Sequence, residues 1–571
     1  MFWRACRGGS AGLATIQAQP CSLLFALSGT NRRAPFDAGG FDRLGANIIS
    51  PGKSMFTMVP VPTLTTEDLM TRGYFPDRVI PPINSLSISP AIPDILRYVT
   101  PKAIQSMQRS RPGIHRSLSV THSIPKRKHL RRTLAIPNPL IQCVLSEEIS
   151  TSWSELSTFC AKSRLSLSTP KISTLRAIEA TNSLNEQPAL RAQRSVGARY
   201  LLKTDIARYY PSIYTHSIPW ALHTKERARA DTRYALSGNR LDLWMRECQD
   251  KQTGGIPIGP DTSFIVSEII GTAMDLQLME KMPSARGTRS IDDYYLYFST
   301  VSEAESCIAA IHEIGREFEL DINESKTEIV LLPDSLEPRW KNDLRSFTIR
   351  DAPAPQAFDL LTLFDRAFEY SKQFPSDSVL TYAAKQTLGA NIAGDNWTLC
   401  QALLLKAALA EPTMLSVLGE VYAKFAGYNT DNSSLTTLIH SICAYHAPLQ
   451  QGNEVAWALW LAKEMSITIS NKVADIIVRL DDDLVALAAL DLHEHGLFGS
   501  TDFARWGAHM QSAELYDNHW LIAYEALEHS WLPTGGNSDY IADDEFFSIL
   551  RQHGVRFYGG AVAPTASFFG Y

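Results

Sequence analysis

The second half of the chain carries apolar residues at the spacing of an α-helix. They recur three and four positions apart in AFDLLTLFDRAFEY, WTLCQALLLKAALA, LGEVYAKFAGY, EVAWALWLAKEM, NKVADIIVRL and DDLVALAALDLHEHGLFG, which is the pattern of amphipathic helices. Short breaks rich in Gly, Pro, Asn and Asp separate these segments, and Gly496 predicts a helix end. The pattern predicts stacked helix pairs over residues 357–560, although it shows no strict repeat period.

The first half is organised differently, around the stretch Leu201–Leu222. A short apolar run in this stretch ends at Asp205, which predicts a strand with a carboxylate at its end. Later in the chain, Asp292 and Asp293 lie between β-prone residues. Carboxylates brought together in this way, with the backbone carbonyl of Ile206 beside them, are hard oxygen ligands that suit Mg²⁺. We therefore expect a magnesium site where these segments meet.

Positive charge is concentrated upstream of this stretch. Residues 101–132 contain no Asp or Glu, and their cations are Lys102, Arg109, Arg111, Arg116, Lys126, Arg127, Lys128, Arg131 and Arg132. A cluster of this kind binds phosphates through the release of counterions. Arg132 is the candidate for the incoming triphosphate, because a guanidinium matches phosphate geometry. Lys126, Arg127, Lys128 and Arg131 are predicted to contact nucleic acid.

Composition adds few constraints. The chain has 571 residues, which predicts two to four domains, and a net charge of −6, which is not that of a general nucleic-acid coat. Its eight cysteines are scattered without paired spacing, which argues against a zinc site and for a reducing compartment. Apolar runs fall short of a membrane span, so a cytoplasmic location and no membrane partner are expected.

Several motifs resemble those of reverse transcriptases. Asp205 with Tyr209-Tyr210-Pro211-Ser212-Ile213 is similar to the first catalytic motif of that family, and Ser290-Ile291-Asp292-Asp293 is similar to its catalytic hairpin. Further resemblances, in family order, are Arg132–Pro137 to the fingers motif, Gly254–Ile270 to the Pro-x-Gly loop and its helix, and Leu320–Thr327 to the Lys-Thr motif. Within the family, the chain most resembles the bacterial abortive-infection and defence-associated reverse transcriptases.

The resemblance implies a fold class and a set of roles. The fold is expected to be α+β, a fingers-palm domain followed by an all-α helical-repeat domain. Asp205 and Asp292 are expected to bridge two Mg²⁺ ions, or Mn²⁺ as an alternative, with the Ile206 carbonyl as a further ligand and Asp293 close by. Tyr210 is expected to exclude ribonucleotides, so that dNTPs are used, and Lys326 to neutralise the leaving pyrophosphate.

The sequence departs from the family at two positions. The loop reads Pro257-Ile258-Gly259 where the family has Pro-Gln-Gly, although Gly259 itself is kept as a nucleotide-binding candidate. Ser290 replaces the aromatic residue that usually opens the hairpin. Both changes are compatible with catalysis, and both put faithful copying of an RNA template in doubt.

The predicted function is DNA synthesis in antiphage defence, protein-primed and independent of a template. The resemblance also favours a homo-oligomer and a DNA product attached covalently to a tyrosine. The candidate priming residues, all outside the palm, are Tyr516, Tyr524, Tyr540, Tyr558 and Tyr571. Two alternatives stay open, which are a templated enzyme of the retron or group II intron type and a nucleic-acid-binding scaffold without polymerase activity.

The predicted boundaries follow changes in composition. Residues 1–57 are rich in Gly, Ser, Pro and Ala and are expected to be a flexible extension or to precede the true start. Residues 58–335 are predicted to form the fingers and palm, and prolines mark a linker over 336–356. The helical-repeat domain follows over 357–560, and residues 561–571 form a tail.

Overall fold

A computed structural model describes residues 63–108, 116–127, 130–536 and 539–559 of the chain. These residues belong to one compact unit, and the architecture is mixed α+β, with small sheets among many helices. The predicted extension over 1–57 and the predicted tail over 561–571 lie outside the described residues. Among the described helices, none is both long enough and apolar enough to cross a membrane.

The strands form three antiparallel groups. They are β1 (Val120–Arg127), β2 (Leu130–Ile136), β3 (Pro170–Ile172), β4 (Ile178–Ala180), β5 (Tyr200–Asp205), β6 (Arg286–Ser290), β7 (Asp293–Phe298) and β8 (Glu328–Leu331). β1 pairs with β2 and β3 with β4, while the central sheet has the order β6-β7-β5-β8. Because successive side chains in a strand point to opposite faces, Leu202 and Leu296 together face the core, where both are fully buried.

Helices of the first half surround this sheet. They are α1 (Thr66–Thr71), α2 (Ile92–Gln108), α3 (Pro139–Cys160), α4 (Gln187–Arg194), α5 (Tyr209–Ser212), α6 (Ser217–His223), α7 (Lys225–Ala230), α8 (Ser237–Glu247), α9 (Asp261–Lys281), α10 (Val301–Glu317) and α11 (Arg339–Arg345). α9 is buried along most of its length, and its buried residues include polar and charged side chains as well as apolar ones. α10 packs on β5 and β7, and a capping box of Thr300 and Glu303 fixes where it begins.

The second half is helical, as its periodicity predicts. Its helices are α12 (Pro353–Gln373), α13 (Val379–Gly389), α14 (Gly394–Ala410), α15 (Leu415–Lys424), α16 (Asn432–His446), α17 (Gly452–Glu464), α18 (Asn471–Ile477), α19 (Asp483–Glu494), α20 (Ala504–Gly507), α21 (Trp520–Glu528), α22 (Tyr540–Asp543) and α23 (Phe547–Gln552). Each of α12 to α15 and α17 packs on the helix two positions further on. We call residues 353–552 the helical array.

The helical array contacts both ends of the first half. β1 packs on α17 and α19, where His122 Nδ1 lies 2.8 Å from Asp482 Oδ2. The last described residues also contact the segment around Pro82, because the amide of Asn84 donates to the carbonyl of Phe557 and the amide of Gly559 to that of Pro82. The described residues therefore do not separate into a polymerase part and a detached helical part.

The segment predicted as a linker has regular structure. α11 lies within residues 336–356, and α12 begins at Pro353, before the predicted boundary at 357. Trp340 and Leu344 of α11 are buried, and α11 packs on α12 and α13. The prolines that indicated a linker instead precede or begin helices, since proline is favoured in a first helical turn, where its missing N–H is not needed.

Candidate active site

The three aspartates meet at one end of the central sheet. Asp205 is the last residue of β5 and lies directly opposite Asp293, the first residue of β7. Cross-strand partners in an antiparallel pair have Cβ atoms about 4.5–5.5 Å apart. Asp292 lies in the two-residue turn that joins β6 to β7, since Ser290 pairs with Asp293, and its carbonyl accepts from the amide of Ile206 at 3.3 Å. The structure thus brings together the carboxylates that the sequence predicts.

Burial and like charge make this cluster unfavourable without a cation. Asp205 is 4% exposed, and its Oδ1 has no hydrogen-bond partner among the described residues. Burial, followed by the charges of Asp293 and Asp205, raises the pKa of Asp292 to about 6. A buried carboxylate oxygen without a partner is costly, and a divalent cation would satisfy it.

Lys326 lies against the cluster rather than apart from it. It ends a 3-10 turn, Glu324–Lys326, and its Nζ contacts Asp205 Oδ2. The turn is fixed to β5, because the amide of Asn323 donates to the carbonyl of Asp205 at 2.9 Å and Thr327 Oγ1 lies 2.7 Å from Thr204 Oγ1. The ammonium expected at the pyrophosphate is therefore an ion-pair partner of Asp205 in this structure.

The donor set fits a magnesium site. Asp205 and Asp292 supply carboxylates, Asp293 adds a third at the exposed edge, and the backbone of Ile206 adjoins Asp205 on the bridge to Ile322. Mg²⁺ takes oxygen ligands and keeps several positions for water or phosphate. These residues would hold the ion, and Lys326 would leave Asp205 when it binds.

Tyr210 and Gly259, the predicted nucleotide-binding residues, are each fixed by contacts with neighbouring segments. Tyr210 lies on α5, five residues after Asp205, and is half-buried. Its hydroxyl accepts a hydrogen bond from Ser267 Oγ at 3.0 Å. Gly259 has φ 139°, and a Cβ there would lie 2.5 Å from Pro76 Cγ, so a side chain is excluded. The neighbouring Ile258 carbonyl accepts from the amide of Ala135 at 2.9 Å, which ties the loop to β2.

The predicted basic residues divide into two groups. Arg132 is exposed, and with Lys126 it lines a cavity of about 480 Å³ between the β1–β2 hairpin and the helical array. Arg131 is different, because Nη1 and Nη2 of its guanidinium donate to the carboxylate of Glu454 on α17, at 2.5 and 2.8 Å. Arg131 thus has a protein partner in this structure, and its contact with nucleic acid stays a prediction. The Arg127 side chain and Lys128 lie outside the described residues.

None of the four described priming candidates presents its hydroxyl to solvent or to the aspartates. The hydroxyl of Tyr516 donates to Asp544, that of Tyr524 to Val555 O, that of Tyr540 to Ala523 O and that of Tyr558 to Asp491. Burial is the first cause of a raised pKa in each of them. Each phenol is engaged by a protein acceptor in this conformation, so the structure gives the four no support as priming residues, and their role stays a prediction. Tyr571 lies outside the described residues.

Sequence reasoning missed a buried ionic network beneath the catalytic turn. Arg289 of β6 is fully buried between two fully buried acids of α9, with Nη1 3.0 Å from Glu268 and Nε 2.9 Å from Asp275. Tyr294 donates to Asp275 at 3.0 Å. A signal was present, because Glu268 and Asp275 are seven positions apart and thus on one face of an otherwise apolar helix.

This network reaches the turn that carries Asp292. Arg289 Nη1 donates to the carbonyl of Ile291 at 2.8 Å, and the amide of Ile291 donates to Ser168 Oγ at 2.8 Å. Ser168 in turn donates to Glu268 at 2.7 Å. Ile291 has φ 57°, which is strained for a β-branched residue. Such strain persists only where surrounding contacts determine it, and here the contacts come from the buried arginine.

Comparisons with known proteins give a distant likeness. Neither a family model nor a curated protein matches the sequence. Solved structures do match, among them apo telomerase from Candida tropicalis, at 10% identity and a TM-score of 0.30, over 64% of this chain and 73% of that one. Another is telomerase from Candida albicans with a fragment of telomeric RNA, at 12% identity and 0.27. The chain spans 64% of that second protein. Similarity at this level carries no argument about activity.

Proposed function

We propose that this chain is a nucleotidyltransferase that extends a nucleic acid by the chemistry of reverse transcriptases. The observation that carries the proposal is the register of β5 and β7, which sets Asp205 opposite Asp293 with Asp292 in the adjoining turn. Two Mg²⁺ ions held by these carboxylates would stabilise charge on the attacking and leaving oxygens.

The other residues act on the substrates. A 3′-hydroxyl oxygen forms a bond to the α-phosphorus, loses its proton, and the bond from that phosphorus to pyrophosphate breaks. Arg132, exposed beside the cavity, binds the triphosphate, because a guanidinium pairs with phosphate at two oxygens. Lys326, which contacts Asp205, would balance the charge of the leaving pyrophosphate once released from that carboxylate.

The finer identity rests on resemblance. The motifs support an RNA-directed DNA polymerase of the abortive-infection kind that uses dNTPs in bacterial antiviral defence, and the family favours a homo-oligomer in the cytoplasm. Tyr210, which is half-buried and packs against Tyr209 at a centroid distance of 6.0 Å, supports the choice of deoxyribose. Protein priming has no support from the four described tyrosines and leaves Tyr571 as the remaining candidate for covalent attachment of the product.

Incorporation of labelled nucleotides by the purified full chain tests the proposal. The protein is incubated with Mg²⁺ and each dNTP, with and without an RNA template and DNA primer, beside the matched variant Asp292→Asn. We expect incorporation that chelation of Mg²⁺ and Asp292→Asn both abolish. Strict dependence on the template would favour the retron or intron alternative, while binding of nucleic acid without any incorporation would overturn the proposal in favour of a scaffold.

Treatment of the product with protease tests attachment. If the labelled DNA migrates identically on a denaturing gel before and after digestion, the product is free and protein priming is wrong for this chain.

A further inference from the structure

Three loops of the helical array bring two histidines and an aspartate together, away from the catalytic aspartates. Asp481 lies before α19, His509 after α20 and His519 immediately before α21. Their ligand atoms all lie within 4.8 Å of one another. We call these three residues the loop cluster.

The spacing of the loop cluster is close to that of a metal site. Asp481 Oδ1 lies 3.6 Å from His519 Nε2 and 4.0 Å from His509 Nε2. In a tetrahedral zinc site with bonds of about 2.0–2.1 Å, neighbouring ligand atoms are about 3.3–3.4 Å apart. The distance to His519 exceeds this spacing by about 0.2–0.3 Å and the distance to His509 by about 0.6–0.7 Å, and Asp481, whose side chain is 46% exposed in a loop, can move to close these gaps.

A second carboxylate lies behind each imidazole. Asp483, which is 2% exposed, accepts from His519 Nδ1 at 2.6 Å. Glu514 Oε2 lies 3.6 Å from His509 Nδ1, and this buried oxygen has no hydrogen-bond partner among the described residues. A carboxylate at Nδ1 keeps the proton on that nitrogen and leaves the lone pair of Nε2 for a metal ion, as in metal sites where a carboxylate orients the histidine.

A neighbouring amide also marks that lone pair on His519. Asn518 Nδ2 lies 3.2 Å from His519 Nε2 and, as a donor, requires that nitrogen to accept. Nε2 of His519 also lies 3.6 Å from Asp481 Oδ1, so a metal ion bound at this nitrogen would replace its contact with Asn518.

We propose that Asp481, His509 and His519 bind a divalent transition-metal ion, with Zn²⁺ as the best match. Two imidazole nitrogens and one carboxylate suit zinc, and a fourth position is left for water. The two rings now stack with centroids 3.8 Å apart, so binding turns His509 to direct both Nε2 atoms at one ion. The scattered cysteines argue against a zinc site, but this one needs none of them.

The position of the loop cluster indicates what the ion would do. Asp482, the residue after Asp481, caps α19 and pairs with His122 of β1. An ion that ties Asp481 to two later loops would brace the point where the helical array holds the β1–β2 hairpin. The role is structural and goes beyond the proposed polymerase activity.

Zinc binding to the full chain tests the proposal. Protein stripped with a chelator is titrated with Zn²⁺ by calorimetry, and with Co²⁺ by visible absorption, which reports tetrahedral coordination. Asp481→Asn and His509→Gln remove ligands, while His440→Gln removes a histidine of α16 outside the loop cluster and is the control. Asp292→Asn is titrated in parallel to isolate any binding at the catalytic aspartates.

We expect the wild type, Asp292→Asn and His440→Gln to share one tight equivalent and a Co²⁺ band that both ligand variants lose. Because loss of even a supporting residue typically weakens metal binding 10–100-fold, the ligand variants should fall by about 100-fold or more. Zn²⁺ should also raise the melting temperature of the wild type and not that of Asp481→Asn.

Several results would overturn the site. One is that Asp481→Asn binds Zn²⁺ as tightly as the wild type does. A second is that only Asp292→Asn loses the bound equivalent of Zn²⁺, and a third is that no form of the protein binds Zn²⁺. The last result would identify the two imidazoles as protonated partners of the carboxylates around them. Since Asp481 is exposed in a loop, its variant should fold, and circular dichroism checks this even where His509→Gln does not fold.

Discussion

At the scale of single residues, Asp292 is held where its own charge is unfavourable. Burial and the nearby carboxylates of Asp293 and Asp205 raise its pKa to about 6, so ionisation at neutral pH is opposed in the folded chain and not in the unfolded one. The raised pKa of Asp292 therefore lowers the free energy of unfolding at pH values above the pKa that this carboxyl has in the unfolded chain. The loss disappears as the pH falls below that value. Functional sites commonly retain such charges at a cost in stability.

Replacement of Asp292 by Asn should therefore stabilise the metal-free protein while it abolishes nucleotide incorporation. The amide keeps the size of the carboxylate and removes its repulsion with Asp205 and Asp293. Melting temperatures in chelator should be higher for Asp292→Asn than for the wild type at pH 7.5, and Mg²⁺ should raise only that of the wild type. A lower melting temperature for the variant would show that the carboxylate is a structural group.

Tyr210 should determine the choice of sugar. Its ring packs on Tyr209 and its hydroxyl is fixed by Ser267, so it forms a rigid wall next to the aspartates. In Tyr210→Val this wall is smaller, and we expect the ratio of kcat/KM for dNTPs to that for rNTPs to fall by about tenfold or more, since steric exclusion of one small group is worth about 1–3 kcal/mol. Equal use of both substrates by the wild type would show that Tyr210 is not a gate.

The sequence predicted single residues well where a local pattern reports the chemistry. Asp205 ends an apolar run and Asp292 lies between β-prone residues, so their positions at the end of a strand and beside a hairpin turn could be predicted from their neighbours. The tyrosines were not, because whether a phenol is buried depends on segments distant in sequence. Tyr558 is buried through its contact with Asp491 and its bridge to Ile83, which no local pattern reports.

At the scale of elements, the β6–β7 hairpin depends on a helix that the catalytic motif does not include. Arg289, Glu268 and Asp275 join β6 to α9 without exposure to water. Breaking a buried ion pair leaves an uncompensated charge and typically costs about 3–5 kcal/mol. The network also fixes Ile291, and so positions Asp292.

Arg289→Met should therefore lower both stability and activity. We expect a loss of about 3–5 kcal/mol in the free energy of unfolding, measured by denaturant titration. The triple variant Arg289→Met, Glu268→Gln and Asp275→Asn leaves no buried charge unpaired and should regain most of that stability. Its kcat should stay on the order of 100-fold low, because a displacement of about 1 Å at a reacting group costs that much. Recovery of kcat with stability would show that Arg289 does not position the turn.

The two arginines of β2 should behave differently. Arg131 is bound by Glu454 and holds the hairpin on α17, so Arg131→Gln should lower the free energy of unfolding by about 1–3 kcal/mol with little change in KM. Arg132→Gln should instead raise the KM for nucleotides by about tenfold or more, as for loss of a charged hydrogen bond, with little change in stability. Melting and kinetic assays of both variants test this. A raised KM in Arg131→Gln together with lower stability in Arg132→Gln would contradict the prediction.

The same pair shows what a sequence pattern leaves open at this scale. A run of cations predicts a basic surface, but successive residues of a strand point to opposite faces, and only the fold shows which face meets the helical array. The linker is a similar case. Prolines indicated an irregular segment over 336–356, whereas the packing of Trp340 on Tyr382, with centroids 5.5 Å apart, fixes α11 against the helical array.

At the scale of the whole molecule, the helical array closes on the first half at two places. His122 and Arg131 hold the β1–β2 hairpin on α17 and α19, and residues near 556 return to the segment around Ser87. Trp520, fully buried, donates from Nε1 to the carbonyl of Ile136 at 3.2 Å. The core of the first half is thus completed by residues of the last helices.

Residues 63–335, cut from the rest of the chain, should consequently fail to fold on their own. Without residues 336–559, the buried His122 and the rings of Tyr74 and Phe75, which pack on Phe557, become exposed, and isolated residues 63–335 should be insoluble or bind a hydrophobic dye. Co-expression with residues 336–559 as a second chain should restore a soluble complex, because the contacts that join the two parts are non-covalent. Gel filtration and dye binding measure both outcomes. A soluble, folded and active fragment 63–335 would show that the array is an accessory to the catalytic fold and not a part of it.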